Sequence, residues 1–347
     1  MAATMSFAMR SSLRVPTVLA APDKWRGSAT ANEVAAAVGR AAERHGWHVD
    51  LAPVSDGGEG FVKVLGGANR SNRVTGPLGR QVEADWLLRG DEAFIEMAAA
   101  SGLLLAGGAA ANDALAATSR GTGELISAAL DCGARRIVVG LGGSASTDGG
   151  MGCFEVLRYE SRLSGVQIVA ACDVMVPLAG ALGFAAQKGA SATQRFLMMG
   201  RLERIAGIYE EECSVDVRQL PGAGAAGGLG AALAALGATL VPGIQLVADA
   251  IGLEDRLARA DLVVTGEGLL DAQSFAGKAV GWILARAVRS DVPALVIVGD
   301  REPELLVQSL AGGSTQVVSL VERFGSDESL SNTLGCIEAV IDERLRR

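Results

Sequence analysis

Acids and glycines recur together along this chain. Asp23 lies in "APDKWRGS", Asp56 and Glu59 in "SDGGEG", Asp148 in "STDGG", Asp173 in "ACDV", and Glu267 and Asp271 in "TGEGLLD". Each follows an apolar run. One such acid alone is a turn former or a helix cap. Several gathered at one sheet edge repel one another unless a cation joins them. Mg²⁺ suits that task, because it takes oxygen ligands and usually arrives with substrate phosphates. The basic residues point the same way. Lys278 stands where Gly277 is expected to open a helix, so the helix dipole opposes its charge unless an anion is held there. Lys24 and Arg26 sit between a strand and a helix, and Lys188 is flanked by glycine in "AAQKGAS". Read singly, each of these is a solvated lysine or arginine.

Other chemistries are poorly supplied. The only histidines, His45 and His48, flank Gly46 and read as a polar helix terminus. No G-x-S-x-G, H-E-x-x-H or Ser-His-Asp set is present. The net charge of −8 and pI near 5.0 argue against nucleic acid as a partner. Five scattered cysteines without C-x-x-C fit reduced thiols in a cytoplasmic protein. No apolar run is long enough to span a membrane. The first 14 residues read as a disordered leader.

The elements that must position these groups alternate regularly. "VPTVLAAP", "HVDLAP", "ARRIVVG", "GVQIVAAC", "ADLVVTG" and "VPALVIVG" are β-branched runs, and helical patterns lie between them. That texture predicts parallel α/β sheets, whose ligand crevices lie beyond the carboxyl ends of the strands. Thr30 and Glu33 form a capping box ahead of the helix containing Val34 and Val38. Between Val74 and Glu96 the pattern turns to polar–apolar alternation, as in antiparallel strands. A domain change is expected near residue 74, with a return near 255.

Glycine accounts for 46 of 347 residues. The densest run is "GLGGSASTDGGMG", Gly140 to Gly152. A second, "PGAGAAGGLG", contains a literal G-x-G-x-x-G at Gly222, Gly224 and Gly227. It neither follows the first strand nor leads to an acid about 20 residues on, so it is not read as a dinucleotide site.

In order and spacing, "APDKWRGS", "DGGEG", "TGPLG", "ATSRGTGELI", "GLGGSASTDGGMG", "ACDV", "QKGAS", "PGAGAAGGLG" and "TGEGLLDAQSFAGK" resemble the bacterial-type glycerate kinases, which phosphorylate D-glycerate with ATP. The resemblance runs over nearly the whole chain from about Val15. It implies two α/β domains, with a parallel-sheet Rossmann/flavodoxin-like domain (15–73 and 255–347) split by an inserted α/β domain (74–254). It implies an active site in the cleft between them, ATP and Mg²⁺ as cofactors, glycerate as substrate and 2-phosphoglycerate as product. A homodimer is a further expectation.

On that reading Asp56, Asp173, Lys188, Glu267 and Lys278 are catalytic. Asp23, Arg26, Gly57, Gly58, Gly142, Gly143, Ser144, Gly224 and Gly227 bind substrate or phosphate. Glu59 and Asp271 are the expected metal residues, and the sequence leaves open which of Asp56, Glu59, Asp173 and Glu267 holds Mg²⁺ and which accepts the glycerate hydroxyl proton. The glycine loops present backbone N–H groups to phosphate oxygens.

The chain departs from the family pattern in places. Arg26 and Val176 replace a Lys and an Asn, and "AAQKGAS" replaces "GPQKGA". The segment "CFEVLRYESRLSGVQIVA" is shorter by about 25–35 residues, well outside ordinary loop variation. A β-α-β crossover needs only about a dozen residues, so the fold is expected to survive. A non-catalytic relative that binds a nucleotide or sugar acid is the second reading of the sequence.

Overall fold

The computed structural model describes residues 14–25, 27–275, 277–302 and 314–346. Arg26 and all of the expected leader except Arg14 therefore lie outside the described residues. Eleven strands follow in chain order among them: β1 (Thr17–Ala20), β2 (His48–Leu51), β3 (Arg70–Thr75), β4 (Gln81–Arg89), β5 (Glu92–Glu96), β6 (Arg136–Leu141), β7 (Gln167–Cys172), β8 (Thr239–Pro242), β9 (Leu262–Leu270), β10 (Ala294–Arg301) and β11 (Thr315–Ser319). The chain forms two compact units, 1–54 with 252–347 and 55–251.

The first unit is a five-stranded, all-parallel sheet ordered β11-β10-β9-β1-β2. Strands such as "TVLA" and "LVVT" are enclosed on both faces, as their β-branched composition requires. Counting only this unit's strands, the order is 2-1-3-4-5, the flavodoxin-like winding, which reverses between β1 and β9. Ligands of such sheets bind outside the carboxyl ends at that reversal. The helix Ala31–Arg44 starts at the predicted capping box, with Thr30 and Glu33 bonded reciprocally. It buries Val34 and Val38 beside Ile337 and Ile341 of the helix Thr333–Leu345. His45 caps its carboxyl end and bonds Asp342 Oδ1 at 3.0 Å, a structural task.

The second unit carries a six-stranded sheet in simple sequential order, β3 to β8. β3, β4 and β5 are antiparallel, as the alternating pattern predicts, and β5 through β8 are parallel. Three crossovers return the chain, through the helices Arg120–Asp131, Met151–Leu157 and Ala192–Cys213. The seven-residue helix Met151–Leu157 is enough to join β6 to β7 in parallel. The shortened segment thus leaves a complete β-α-β unit.

The unit boundaries differ from the expected 74 and 254. The chain enters the second unit at Ser55, some twenty residues early, because the "SDGGEG" loop packs on that unit's strands. A Cβ on Gly57 would lie 2.8 Å from Ala171 O, and Val62 N–H donates to Glu96 Oε1 at 2.7 Å. Packing assigns this loop, although in sequence it follows β2.

Candidate active site

The acids do not share one sheet edge. Asp23, Glu267 and Asp271 belong to the first unit, whereas Asp56, Glu59, Asp148 and Asp173 belong to the second.

In the first unit the chain leaving β1 turns over the end of β9. Ala21 N–H donates to Val264 O at 2.8 Å, Asp23 N–H to Gly266 O at 2.9 Å, and Thr265 Oγ1 to Ala21 O at 2.8 Å. These bonds set Asp23, which is buried, beside Glu267 at the point where strand order reverses. Asp23 Oδ1 accepts the Lys24 N–H at 2.7 Å and lies 3.8 Å from Lys24 Nζ. Glu267 Oε1 is enclosed and has no hydrogen-bond partner among the described residues. Burial pushes its carboxyl up to about 7. A hydrogen bond from Ser274 and the charge of Lys278 oppose the rise, and the charges of Asp23 and Asp271 add to it. Asp271 turns to its own loop, where Oδ1 accepts from Ser274 N–H at 3.0 Å and Ser274 Oγ at 3.3 Å. Lys278 is the N-cap of the helix Ala279–Arg289, one position outside the expected first turn, after Gly277 at φ +97°. A half-buried cation on a helix amino terminus remains a site that favours an anion.

In the second unit the groups converge at the carboxyl ends of β6, β7 and β8. Asp56 is buried, and its Oδ1 accepts Gly58 N–H at 3.2 Å. A Cβ placed on Gly142 would stand 2.6 Å from Gly58 Cα and 3.1 Å from Asp173 Oδ2. The Asp56 loop, Gly142 and the Asp173 carboxylate are therefore in contact. Glu59, by contrast, is exposed.

Lys188 corrects the plain reading of a solvated lysine. It is only 7% exposed, and its Nζ donates to Ser144 Oγ and Ser146 O, both at 2.6 Å. Burial lowers its ammonium pKa to about 8, against the opposing pull of the Asp148 and Asp173 charges. The lysine fastens the Ser144–Ser146 turn while keeping a titratable cation inside it.

The glycines have a task that the sequence did not disclose. Gly149 and Gly150 take φ of +66° and +76°, and Ala226, Gly227 and Gly228 take +50°, +72° and +95°. A Cβ on Gly227 would stand 2.0 Å from Ser146 O, one on Gly228 2.6 Å from Gly149 Cα, and one on Gly224 2.4 Å from Pro177 O. Gly149 N–H donates to Gly227 O at 3.0 Å. The two glycine runs are interlocked backbone to backbone, so the space beside Gly142, Gly224 and Gly227 is filled by the chain itself. Gly143 is looser, at φ +67° with Ala98 Cβ at 3.5 Å.

Asp148 is likewise structural. Its carboxylate accepts from Ser119 N–H and Oγ, both at 2.8 Å, Gly150 N–H at 3.1 Å and Gly152 N–H at 3.3 Å. Two further positioning residues carry no sequence motif. Asn112 Nδ2 ties Ala145 O (3.0 Å) to Lys188 O (2.8 Å), and Tyr209 Oη donates to Gly149 O at 2.8 Å.

Among the described residues, no three His, Cys, Asp or Glu side chains are gathered so as to hold a metal ion. Glu59 and Asp271 lie in different units, and neither belongs to such a set. A magnesium ion carried by a nucleotide needs only one or two protein carboxylates, because phosphate and water oxygens complete its shell. The acids present fit that case. A cavity of about 470 Å³ in the second unit, lined by Arg89, Phe94, Arg136 and Leu246 among others, contains none of the predicted site residues. No helix among the described residues is long and apolar enough to cross a membrane.

Comparison with known proteins agrees with this geometry. The model of the glycerate kinase family matches residues 18–160 and 154–344. The glycerate 2-kinase of Escherichia coli is 39% identical over 356 residues, covering 90% of each chain. That alignment is longer than this chain, so it runs through positions with no residue here. The family match divides at 154–160, within the segment expected to be short. The glycerate kinase of Bacillus subtilis is 39% identical over 81% of this chain and 84% of its own. A Salmonella typhimurium LT2 protein, solved as a candidate glycerate kinase 2, superposes with a TM-score of 0.77 at 35% identity, covering 95% of this chain and 97% of that one. The winding, the paired acids at the strand reversal and the matches across both units lead to one conclusion: this chain belongs to the glycerate kinase family.

Proposed function

We propose that this chain transfers the γ-phosphoryl group of ATP to the 2-hydroxyl of D-glycerate, giving 2-phosphoglycerate and ADP. The observation that carries the reading is Glu267, a carboxyl raised to about 7 at the β1–β9 reversal, beside Asp23 and Lys278. A base with that pKa can accept the hydroxyl proton near neutrality. The glycerate oxygen forms its bond to the γ-phosphorus as the bond to the ADP oxygen breaks, and the proton passes to Glu267. Phosphoryl transfer otherwise depends on positioning and charge neutralisation. Lys278 and Lys188 supply positive charge for phosphate or carboxylate oxygens. Asp56 and Asp173 are the carboxylates that would meet a nucleotide-borne Mg²⁺, which neutralises phosphate charge when bound. Arg26, Gly57, Gly58, Gly143 and Ser144 remain candidate contacts to the substrate. The 2-position rests on the name of the Escherichia coli relative.

Phosphorus NMR of a reaction containing ATP, Mg²⁺ and D-glycerate tests the whole reading. The expected product is 2-phosphoglycerate, formed at least a hundredfold faster than by Glu267→Gln. A 3-phosphoglycerate signal would overturn the position. Thermal stabilisation by ATP with no product from the wild type would support the non-catalytic binder instead.

A further inference from the structure

Ser144 and Lys188 meet the geometric terms for an activated nucleophile. Lys188 Nζ lies 2.6 Å from Ser144 Oγ and also donates to Ser146 O at 2.6 Å. A hydroxyl, a base within hydrogen-bond reach and a third group that orients the base are what nucleophilic catalysis needs. A lysine can be that base where burial favours its neutral form. Both side chains are buried, and burial lowers the Lys188 ammonium to about 8, against the pull of the Asp148 and Asp173 charges.

The backbone around the serine is fixed. Leu103 N–H donates to Gly143 O at 2.8 Å and Ala145 N–H to Ser101 O at 3.0 Å, so Ser144 is pinned on both sides. Asn112 then spans the pair. Its Nδ2 protons go to Ala145 O and to Lys188 O, which holds the serine's neighbour and the lysine's own backbone at one spacing. The N–H groups of Gly143 and Ser144 donate to no acceptor among the described residues. Donors left over beside a nucleophile are what a developing oxyanion requires. Gly143 is exposed, and only Ala98 Cβ, at 3.5 Å, lies within 4 Å of where its own Cβ would be. That side of the turn is open to a reactant.

We propose that Ser144 is a nucleophile for activated phosphoryl groups, with Lys188 as its base and the Gly143 and Ser144 N–H groups as its anion donors. The bond from Oγ to phosphorus forms as the bond from phosphorus to the leaving group breaks. The Oγ proton passes to Lys188 Nζ, and the leaving group departs as an anion. This step is separate from the transfer to glycerate, whose base, Glu267, belongs to the first unit.

An alkyl fluorophosphonate tests the proposal, because fluoride is then the leaving group and neither ATP nor glycerate takes part. At mildly alkaline pH the folded full chain should take up one equivalent, on the peptide that carries Ser144. The chain unfolded in urea should take up none, and Ser144→Ala should stay unlabelled. Lys188→Arg keeps a cation and its donors in place but stays protonated, so its labelling should be slower by about a hundredfold or more. Lys188→Met should be slowed to the same extent. Circular-dichroism melting is read beside each rate, and if either lysine variant is unfolded, the folded and urea-unfolded wild type still decide the matter. A folded wild type unlabelled at Ser144, a label that persists in urea, or a Lys188→Arg variant labelled at the wild-type rate would each overturn the proposal.

Discussion

At the end of the β1–β9 pair, the groups available to a ligand are side chains: Asp23 and Glu267, set side by side by two backbone bonds and the Thr265 hydroxyl, and Lys278 at a helix amino terminus. At the ends of β6, β7 and β8 they are held by backbone, where two glycine runs cross and a buried lysine fastens the Ser144–Ser146 turn of the first. The first arrangement tunes protons, because burial and neighbouring charge move a carboxyl to about 7. The second fixes shape, because left-handed glycines fit only one mutual position. Substitutions should therefore fail differently in the two units. Chemistry should be lost first in one, and the fold first in the other.

The largest expected effect sharpens that contrast. Glu267→Gln should lower kcat by about 10²–10⁴-fold, the usual range for a lost general base, with the melting temperature unchanged or raised. Steady-state kinetics beside calorimetry would check it, and a loss below tenfold would remove Glu267 from the proton path. Gly227→Ala should do the reverse. A methyl group 2.0 Å from Ser146 O, at φ +72°, should destabilise the chain by about 3 kcal/mol, readable as a shifted urea midpoint. A midpoint within error of the wild type would show that the interlock is looser than it stands here. Asp148→Asn, which weakens four hydrogen bonds to a buried charge, should cost about 2 kcal/mol.

The smallest effect is a matter of pH. The rate should rise as Glu267 ionises near 7 and fall as Lys188 deprotonates near 8, a narrow bell that Lys188→Met would open on the alkaline side. Stability carries the opposite signature. Glu267 is raised from 4.5, so its contribution is full below 4.5 and is lost as pH rises through about 7. Lys188 is lowered from 10.5, so its contribution is full above 10.5 and is lost as pH falls through about 8. A flat rate profile across this window would separate both groups from the chemistry.

Much of this was legible in the residues. The β-branched runs gave six of the parallel strands, because burial on both faces leaves a continuous apolar signal. β8, "TLVP", and β11, "TQVVS", escaped notice, being short and partly exposed. Spacing drew attention to Glu267 and Lys278, but it could not show that Lys188 is buried or that Asp148 is spent on four donors. Those facts depend on which loops cross, and crossing is a property of long-range contact. The glycines misled for the same reason. A missing side chain announces a close approach, yet nothing in the run says whether a ligand or another strand of backbone makes it.

The split of the first unit has a consequence for synthesis. Residues 55–251 are continuous and can complete their sheet while the ribosome is still working. β1 must wait, because Thr265, whose hydroxyl closes on Ala21, emerges 244 residues later. Until then "TVLA" has β2 along one edge and the helix Ala31–Arg44 against one face, and the edge that β9 will take is open. The element made first is thus among the last to be enclosed, and its apolar edge is what the growing chain must keep from other partners.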